Sequence, residues 1–263
     1  MASRTLSSVR AAARLLCAFT PGDRELGVSE LSRRLGLSKS AVHRLLTTLA
    51  AEHLIEQDPR SGRYRLGVKV YELGTLVSTH FELHEAVAMY IDELRARTAA
   101  TVQVGVLDRT DVVYVERRES LRTLHTMVDL GHRNLAHCTA CGKVLLAALR
   151  EADLARLLGD GPLPARTPRS ITDPTRLRQE LARVRERGYA ENVEESDLGM
   201  ASVAAPIRDH TGRVVAAISV AAPLSGMDEP VRRRCATAAM DIANRISEQL
   251  GYSRWQHARQ RSA

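Results

Sequence analysis

Leu26-Gly-Val-Ser-Glu-Leu-Ser-Arg-Arg-Leu-Gly36-Leu-Ser38-Lys-Ser-Ala-Val-His-Arg-Leu-Leu-Thr-Thr-Leu-Ala-Ala51 reads as two short helices joined by a tight turn. The first is expected to start near Ser29, with Glu30 at the positive end of the helix dipole and Leu31 and Leu35 on one face. Gly36 stops it, because glycine accepts the left-handed backbone of a sharp turn. Ser38 caps the second helix. Ala41, Val42, Leu45, Leu46 and Leu49 form its packed face, and Lys39, Ser40, His43, Arg44 and Thr47 its polar face. This is a helix-turn-helix pattern.

Upstream, the apolar spacing predicts a helix over Ser7 to Phe19, capped by Ser7 or Ser8 and ended by Pro21-Gly22. Downstream, Leu54-Ile-Glu-Gln57, the turn Asp58-Pro-Arg-Ser-Gly62 and Arg63-Tyr-Arg-Leu66 predict a β-hairpin. A hairpin beside a helix-turn-helix is a wing, here with Arg60, Arg63 and Arg65 at its tip and arms. Residues 1–80 carry twelve Lys and Arg against seven Asp and Glu, so most of the chain's net charge of +7 lies in less than a third of its length. A helix fits the DNA major groove, where short polar and basic side chains touch base edges and arginines hold phosphates. Ser38, Lys39, Ser40, His43, Arg44 and Thr47 are therefore expected to read double-stranded operator DNA, with Arg60, Arg63 and Arg65 on its backbone.

Beyond Gly67 the pattern is helical in two pieces, Val68 to Leu76 and Leu83 to Arg97. From Thr101 it changes. Thr101–Leu107 and Val112–Glu116 are expected strands, with a third at Leu124–Val128. Thr139–Leu149, Glu151–Leu158 and Asp173–Arg187 are expected helices, Ala201–Ile207 and Val214–Val220 a strand pair, and Pro230–Leu250 a final amphipathic helix. Gly159–Pro168 reads as a loop. Strands and helices mix without a βαβ rhythm, which predicts an α+β fold with an antiparallel sheet. The expected division is a DNA-binding domain over 1–67, a linker helix over 68–82, a second domain over 83–251 and a basic tail over 252–263.

The 263 residues suffice for two domains with real cores. Four cysteines (Cys17, Cys138, Cys141 and Cys235) make no disulfide framework in a chain this long. Arg4, Arg10 and Arg14 interrupt any apolar signal core, and no run approaches the ~18 apolar residues of a membrane span. A cytoplasmic, nucleoid-associated protein without a membrane partner is expected. No G-x-S-x-G elbow and no P-loop occur, and no cofactor motif, so catalysis is not expected. Glu194-Glu195 is a carboxylate pair expected on a surface loop, and His125, His132 and His137 are expected to line a loop or pocket.

Ser38-Lys-Ser-Ala-Val-His-Arg-Leu-Leu-Thr-Thr-Leu49 followed by Ser61-Gly-Arg-Tyr-Arg-Leu-Gly67 resembles the IclR family of bacterial transcriptional regulators. So do Ala136-His-Cys-Thr-Ala-Cys-Gly-Lys-Val-Leu-Leu-Ala147, Arg187-Gly-Tyr-Ala190, Ala204-Ala-Pro-Ile-Arg-Asp209 and Ala216-Ala-Ile-Ser-Val220, in that order. The resemblance covers about residues 7–251. It implies a winged helix-turn-helix, a linker helix and a GAF/PAS-like effector-binding domain, assembled as homodimers or homotetramers on two-fold operators.

The resemblance also places a small-molecule effector, an organic acid or aromatic catabolite, between the sheet and the loops around 130–139, 192–203 and 218–220. The implied effector residues are Leu130, Ala136, His137, Cys138, Thr139, Asn192, Ser202 and Ser219. The start of the Thr139–Leu149 helix would suit a carboxylate. The chain departs from the family pattern at Asn192, where Asp is usual, at Ser202, where Cys is usual, and at Cys141, where Leu is usual. A metal or thiol sensor using Cys138 and Cys141 is the alternative, although no second ligand pair accompanies them, and Cys141 in a helix reads better as a small apolar residue. Whether the protein represses or activates stays open.

Overall fold

A computed structural model describes residues 6–20, 22–79, 82–120, 131–159 and 161–253, in two compact units, Met1–Phe81 and Glu82–Ala263. The expected strand at Leu124–Val128, together with His125 and Leu130, lies outside the described residues.

The first unit runs α1 (Ser7–Leu16), α2 (Val28–Leu35), α3 (Lys39–Ala51), β1 (Ile55–Gln57), β2 (Tyr64–Leu66) and α4 (Val68–Thr79). Its core is Leu15, Leu26, Leu31, Leu35, Val42, Leu46, Leu49, Ile55 and Tyr64. Each leucine buried there contributes roughly 1.5–3 kcal/mol. β1 and β2 pair antiparallel, with Glu56 opposite Arg65, and Leu26 and Tyr64 exchange two backbone hydrogen bonds of 2.9 Å that tie the wing to the chain before α2.

Two helix starts differ from expectation. Leu6, not a serine, is the N-cap of α1, and Ser7 is already helical. α2 starts at Val28 after Gly27, whose N–H is accepted by the Glu30 carboxylate at 2.9 Å. A side chain reaching back from the first turn satisfies the same donor that a serine cap would. Gly36 does end α2 in the left-handed conformation (φ 68°), and Ser38 Oγ accepts the Ala41 N–H at 3.2 Å at the head of α3.

The second unit begins with α5 (Glu82–Ala88) and α6 (Ile91–Thr98), a helix pair broken at Met89-Tyr90 where one continuous helix was expected. The chain continues through β3 (Thr101–Asp108), β4 (Asp111–Arg118), β5 (Arg133–Leu135), α7 (Ala140–Ala147), α8 (Glu151–Leu158), α9 (Pro174–Arg187), β6 (Ala190–Val193), β7 (Met200–Arg208), β8 (Val214–Pro223) and α10 (Glu229–Gln249). The six strands form one antiparallel sheet in the order β5-β4-β3-β8-β7-β6, as the α+β reading requires. The two edge strands, of three and four residues, were not foreseen; both are too short to show an alternation.

The sheet is buried on both faces. Val102, Val104, Val203, Ala205, Ile218 and Val220 pack with Ile91 and Leu94 of α6 and Ala239, Ile242 and Ile246 of α10. On the other face Val112, Tyr114, Ala204 and Ala217 pack with α7 and α9. Every residue of α7 is buried, including a lysine. Small residues beneath it let the helix approach closely: the Cys141 thiol donates to the Ala217 carbonyl at 3.5 Å.

Candidate functional site

In the first unit, α3 turns Val42, Leu46 and Leu49 into the core and leaves Lys39, Ser40, His43, Arg44 and Thr47 exposed. Thr47 and Thr48 hydroxyls donate to the carbonyls of His43 and Arg44, four residues back. Ser38 and Ser40 lie 3.1 Å apart at the helix head, beside its free N–H groups. The result is an exposed polar and basic helix face with a positive end, matching what the sequence pattern implied.

The wing tip is built by Asp58, whose Oδ1 accepts the N–H groups of Arg60 (2.6 Å) and Ser61 (3.0 Å). Those two backbone donors hold its carboxyl below the usual carboxylate range. Gly62 closes the turn in the left-handed region (φ 69°). The arms are less free than the sequence suggested. Arg63 Nη2 donates to the Glu25 carbonyl at 2.7 Å and to the Glu30 carboxylate at 2.9 Å, while Arg65 pairs across the hairpin with Glu56 at 3.1 Å. Of the three wing arginines, Arg60 alone has a guanidinium with no hydrogen bond or ion pair among the described residues. That Arg63 would be engaged by Glu30, 33 residues away, carried no local signal.

In the second unit a cavity of about 320 Å³ opens on the α7 face of the sheet. Strand register explains its lining. Thr101 pairs with Ala221, Ala221 with Ser202, and Ser202 with Asn192, so these four share one face of four neighbouring strands. Gln103 shares that face one pleat further along β3. A β-bulge on β4 decides the rest. Gly105 pairs with Tyr114 but Val104 with Glu116, so the extra residue Val115 shifts the alternation and Arg117, opposite Gln103, comes to the cavity. Arg117 is 6% exposed and lies 3.4 Å from Glu119. Asn134, Thr139, Ser196, Asp197, Met200 and Ala201 complete the wall.

Of the expected effector residues, Thr139, Asn192 and Ser202 line this cavity. Thr139 also caps α7 through the Gly142 N–H (3.0 Å), and Asn192 holds Glu195 N–H and Ser196 Oγ. Ser219 is on the same sheet face but buried, 3.4 Å from the Gln103 carbonyl. Ala136, His137 and Cys138 form the short turn before α7 and are not in the lining. His137 packs its ring against the next loop, with Nε2 2.9 Å from the Pro164 carbonyl, and burial holds its pKa down. His132 is exposed. Gln103, Tyr114, Arg117 and Asn134 were not anticipated.

The carboxylate pair is not a solvated loop. Glu195 Oε1 lies 2.6 Å from Lys143 Nζ, both side chains at most 13% exposed, and Glu194 pairs with Arg169 at 3.0 Å. Burial pushes the Glu195 carboxyl up despite the lysine beside it. Thr167 and Ser170 hydroxyls donate to the Glu194 and Glu195 carbonyls (2.6 and 2.7 Å), pinning this loop to the one before α9. The cysteines give no support to metal or thiol sensing. Among the described residues no three His, Cys, Asp or Glu side chains come together to hold a metal. Cys138 and Cys141 are buried, and burial raises both thiols, Cys141 to about 12. Among the described residues no helix is long and apolar enough to cross a membrane.

A winged helix-turn-helix and a cavity-bearing sheet domain on one chain define a ligand-responsive, DNA-binding transcriptional regulator. The IclR helix-turn-helix domain matches residues 8–59, and the C-terminal domain of the bacterial transcriptional regulator IclR matches residues 75–248. The chain belongs to the IclR family.

Among its relatives, the HTH-type transcriptional regulator XynR of Escherichia coli strain K12 is 35% identical over 247 residues, covering 94% of this chain and 98% of that one. The glycerol operon regulatory protein of Streptomyces coelicolor is 33% identical over 255 residues, covering 96% and 100%. Among solved structures, an IclR homolog from Microbacterium hydrocarbonoxydans complexed with 4-hydroxybenzoate superposes with a TM-score of 0.83 at 26% identity, covering 93% of this chain and 99% of that one.

Proposed function

We propose that the polar face of α3 enters the major groove of a two-fold operator, with Ser38, Lys39, Ser40, His43, Arg44 and Thr47 facing the bases, and that a small anionic metabolite in the sheet cavity sets operator affinity. The exposed, Ser38-capped face of α3 carries the DNA half of this reading. The cavity itself supports the effector half: Thr139, Asn192 and Ser202 line it, and Arg117, 3.4 Å from the Glu119 carboxylate, sets a guanidinium that suits carboxylates at its wall. Leu6 and Val9 of the α1 region and Val68 and Tyr71 of α4 are all more than half exposed, which supports burial against a second copy in a homodimer or homotetramer. The protein acts on the nucleoid in the cytoplasm.

The three wing arginines divide their work. Arg60 and Arg65 reach phosphates, while Arg63 positions the wing by holding Glu25 and Glu30. The test is binding to the DNA upstream of the protein's own gene, followed by fluorescence anisotropy across a salt series. Arg60→Gln is expected to lower the slope of log K against log salt by about one. Arg63→Gln is expected to weaken binding and lower the melting temperature with the slope unchanged. A slope change for Arg63→Gln equal to that of Arg60→Gln would place Arg63 on the phosphates instead. Arg44→Ala is expected to cost about 1–3 kcal/mol on the cognate site and to relax sequence preference. An unaltered preference sinks the assignment of α3.

A further inference from the structure

Granted that this cavity is the effector site, we propose that its ligand is a linear polyhydroxy monocarboxylate, of the aldonic-acid type, rather than an aromatic acid. Three features of the lining point there.

First, most of the residues that line the wall carry a hydrogen-bonding side chain. The Gln103 side-chain amide and the Ser202 hydroxyl make no hydrogen bond among the described residues, although Gln103 is buried and Ser202 half-buried. The Thr101 hydroxyl accepts the Ser120 N–H and keeps its own proton to give. Tyr114, held protonated by burial and hydrogen-bonded to Asn134 and Thr139, extends the polar wall beyond them onto β4 and β5. An aromatic ring pressed against the Gln103 amide and the Ser202 hydroxyl would strip their water and return nothing, at roughly 1–3 kcal/mol for each group left unmade. Ligand hydroxyls would satisfy them.

Second, the cavity lacks what an aromatic ligand uses. Tyr114 is the single aromatic residue of the lining, and Met200 is its single large aliphatic side chain. No opposed pair of flat or branched apolar walls is available to sandwich a ring.

Third, charge and length fix one end. Arg117 is on β4 and Ser202 on β7, three inter-strand spacings apart, about 14 Å between backbones. The long arginine side chain shortens that span, and Ala221 leaves the floor open between them. A carboxylate at Arg117 would then lay about five or six hydroxylated carbons along Gln103 and Thr101 towards Ser202 and Asn192. Asp197, on the loop between β6 and β7 and 3.9 Å from Arg166, adds a carboxylate to the wall.

The experiment is calorimetric titration of the full chain with three aldonates of different length and stereochemistry (gluconate, galactonate and arabinonate), with hexanoate, adipate and 4-hydroxybenzoate as comparators. At least one aldonate is expected to bind tenfold or more tightly than every comparator. Ser202→Ala and Gln103→Leu are expected to weaken that aldonate about tenfold and to leave hexanoate unchanged or tighter. Arg117→Gln is expected to abolish binding of the acid, with melting curves checking that each variant is folded.

If 4-hydroxybenzoate or hexanoate binds more tightly than all three aldonates and still needs Arg117, the ligand class is wrong and the effector site stands. If bound acids ignore Arg117→Gln and Ser202→Ala alike, the site itself is wrong. No binding of any aldonate also overturns the proposal.

Discussion

Lys143→Met is expected to destabilise the second unit by about 3–5 kcal/mol, because it leaves the buried Glu195 carboxylate without its cation. The lysine side chain is 2% exposed and its Nζ lies 2.6 Å from Glu195 Oε1 and 4.0 Å from Glu180 Oε1. Glu180 has a second partner in Arg187 at 2.8 Å, so it tolerates the loss. Glu195 does not: its Oε2 is buried and has no hydrogen-bond partner. Removing both charges in Lys143→Met with Glu195→Leu is expected to recover most of the stability, since apolar groups of similar volume replace a buried pair at little cost. Urea melts followed by circular dichroism measure both. A single-mutant loss under about 1 kcal/mol would mean that water or another cation reaches Glu195.

The same pair sets a pH signature. Burial, partly offset by Lys143, places the folded-state carboxyl of Glu195 above its ordinary value of 4.5. A raised carboxyl means that the folded state holds the proton more strongly than the unfolded state. Its contribution is therefore fully present below about pH 4.5 and is lost as pH rises through the folded value. Without Lys143 that value rises further. The deficit of Lys143→Met is thus expected to be smallest in acid and to grow towards neutral pH, and melts at pH 4.5 and 7.5 compare the two.

What could be read from sequence was what is decided locally. Gly36, the Ser38 cap, the apolar stripe of α3 and the Asp58–Gly62 turn all follow from neighbours within four residues, and all are as expected. Helix starts failed where a later side chain did the capping, as Glu30 does for Gly27. The polar face of α3 was legible because a helix surface follows from its period. The cavity was only partly legible. Thr139, Asn192 and Ser202 came from family resemblance. Arg117 reaches the cavity only because one extra residue on β4 shifts the alternation, and nothing in Val112-Val-Tyr-Val-Glu116 announces a bulge. Lys143 and Glu195, 52 positions apart, meet only after α7 has packed on the sheet.

Gly142→Ala is expected to be as damaging as the loss of Lys143, although alanine is the better helix former by about 1 kcal/mol. From sequence alone this glycine in the first turns of a helix looks like a weakness. In the fold, α7 lies directly over the Ala136–Cys138 turn. A Cβ on Gly142 would stand 2.0 Å from the Ala136 carbonyl oxygen, 2.4 Å from its Cα and 2.5 Å from its carbonyl carbon. All three are backbone atoms, so no rotamer change relieves the clash. Either the turn or the helix must move. Overpacking of a core costs roughly 1–3 kcal/mol when side chains can adjust, and more when they cannot.

The movement would also reach the cavity. The Gly142 N–H is the donor that Thr139 Oγ1 accepts, and Asn134 lies on the strand leading into the displaced turn. Gly142→Ala is therefore expected to lower the melting temperature and to weaken acid binding together, while Gly161→Ala, with nothing within 4 Å of its Cβ, changes neither. A variant with a normal melting temperature and intact ligand affinity would show that the Ala136–Cys138 turn yields freely. The α7 start would then not be what fixes that wall of the cavity.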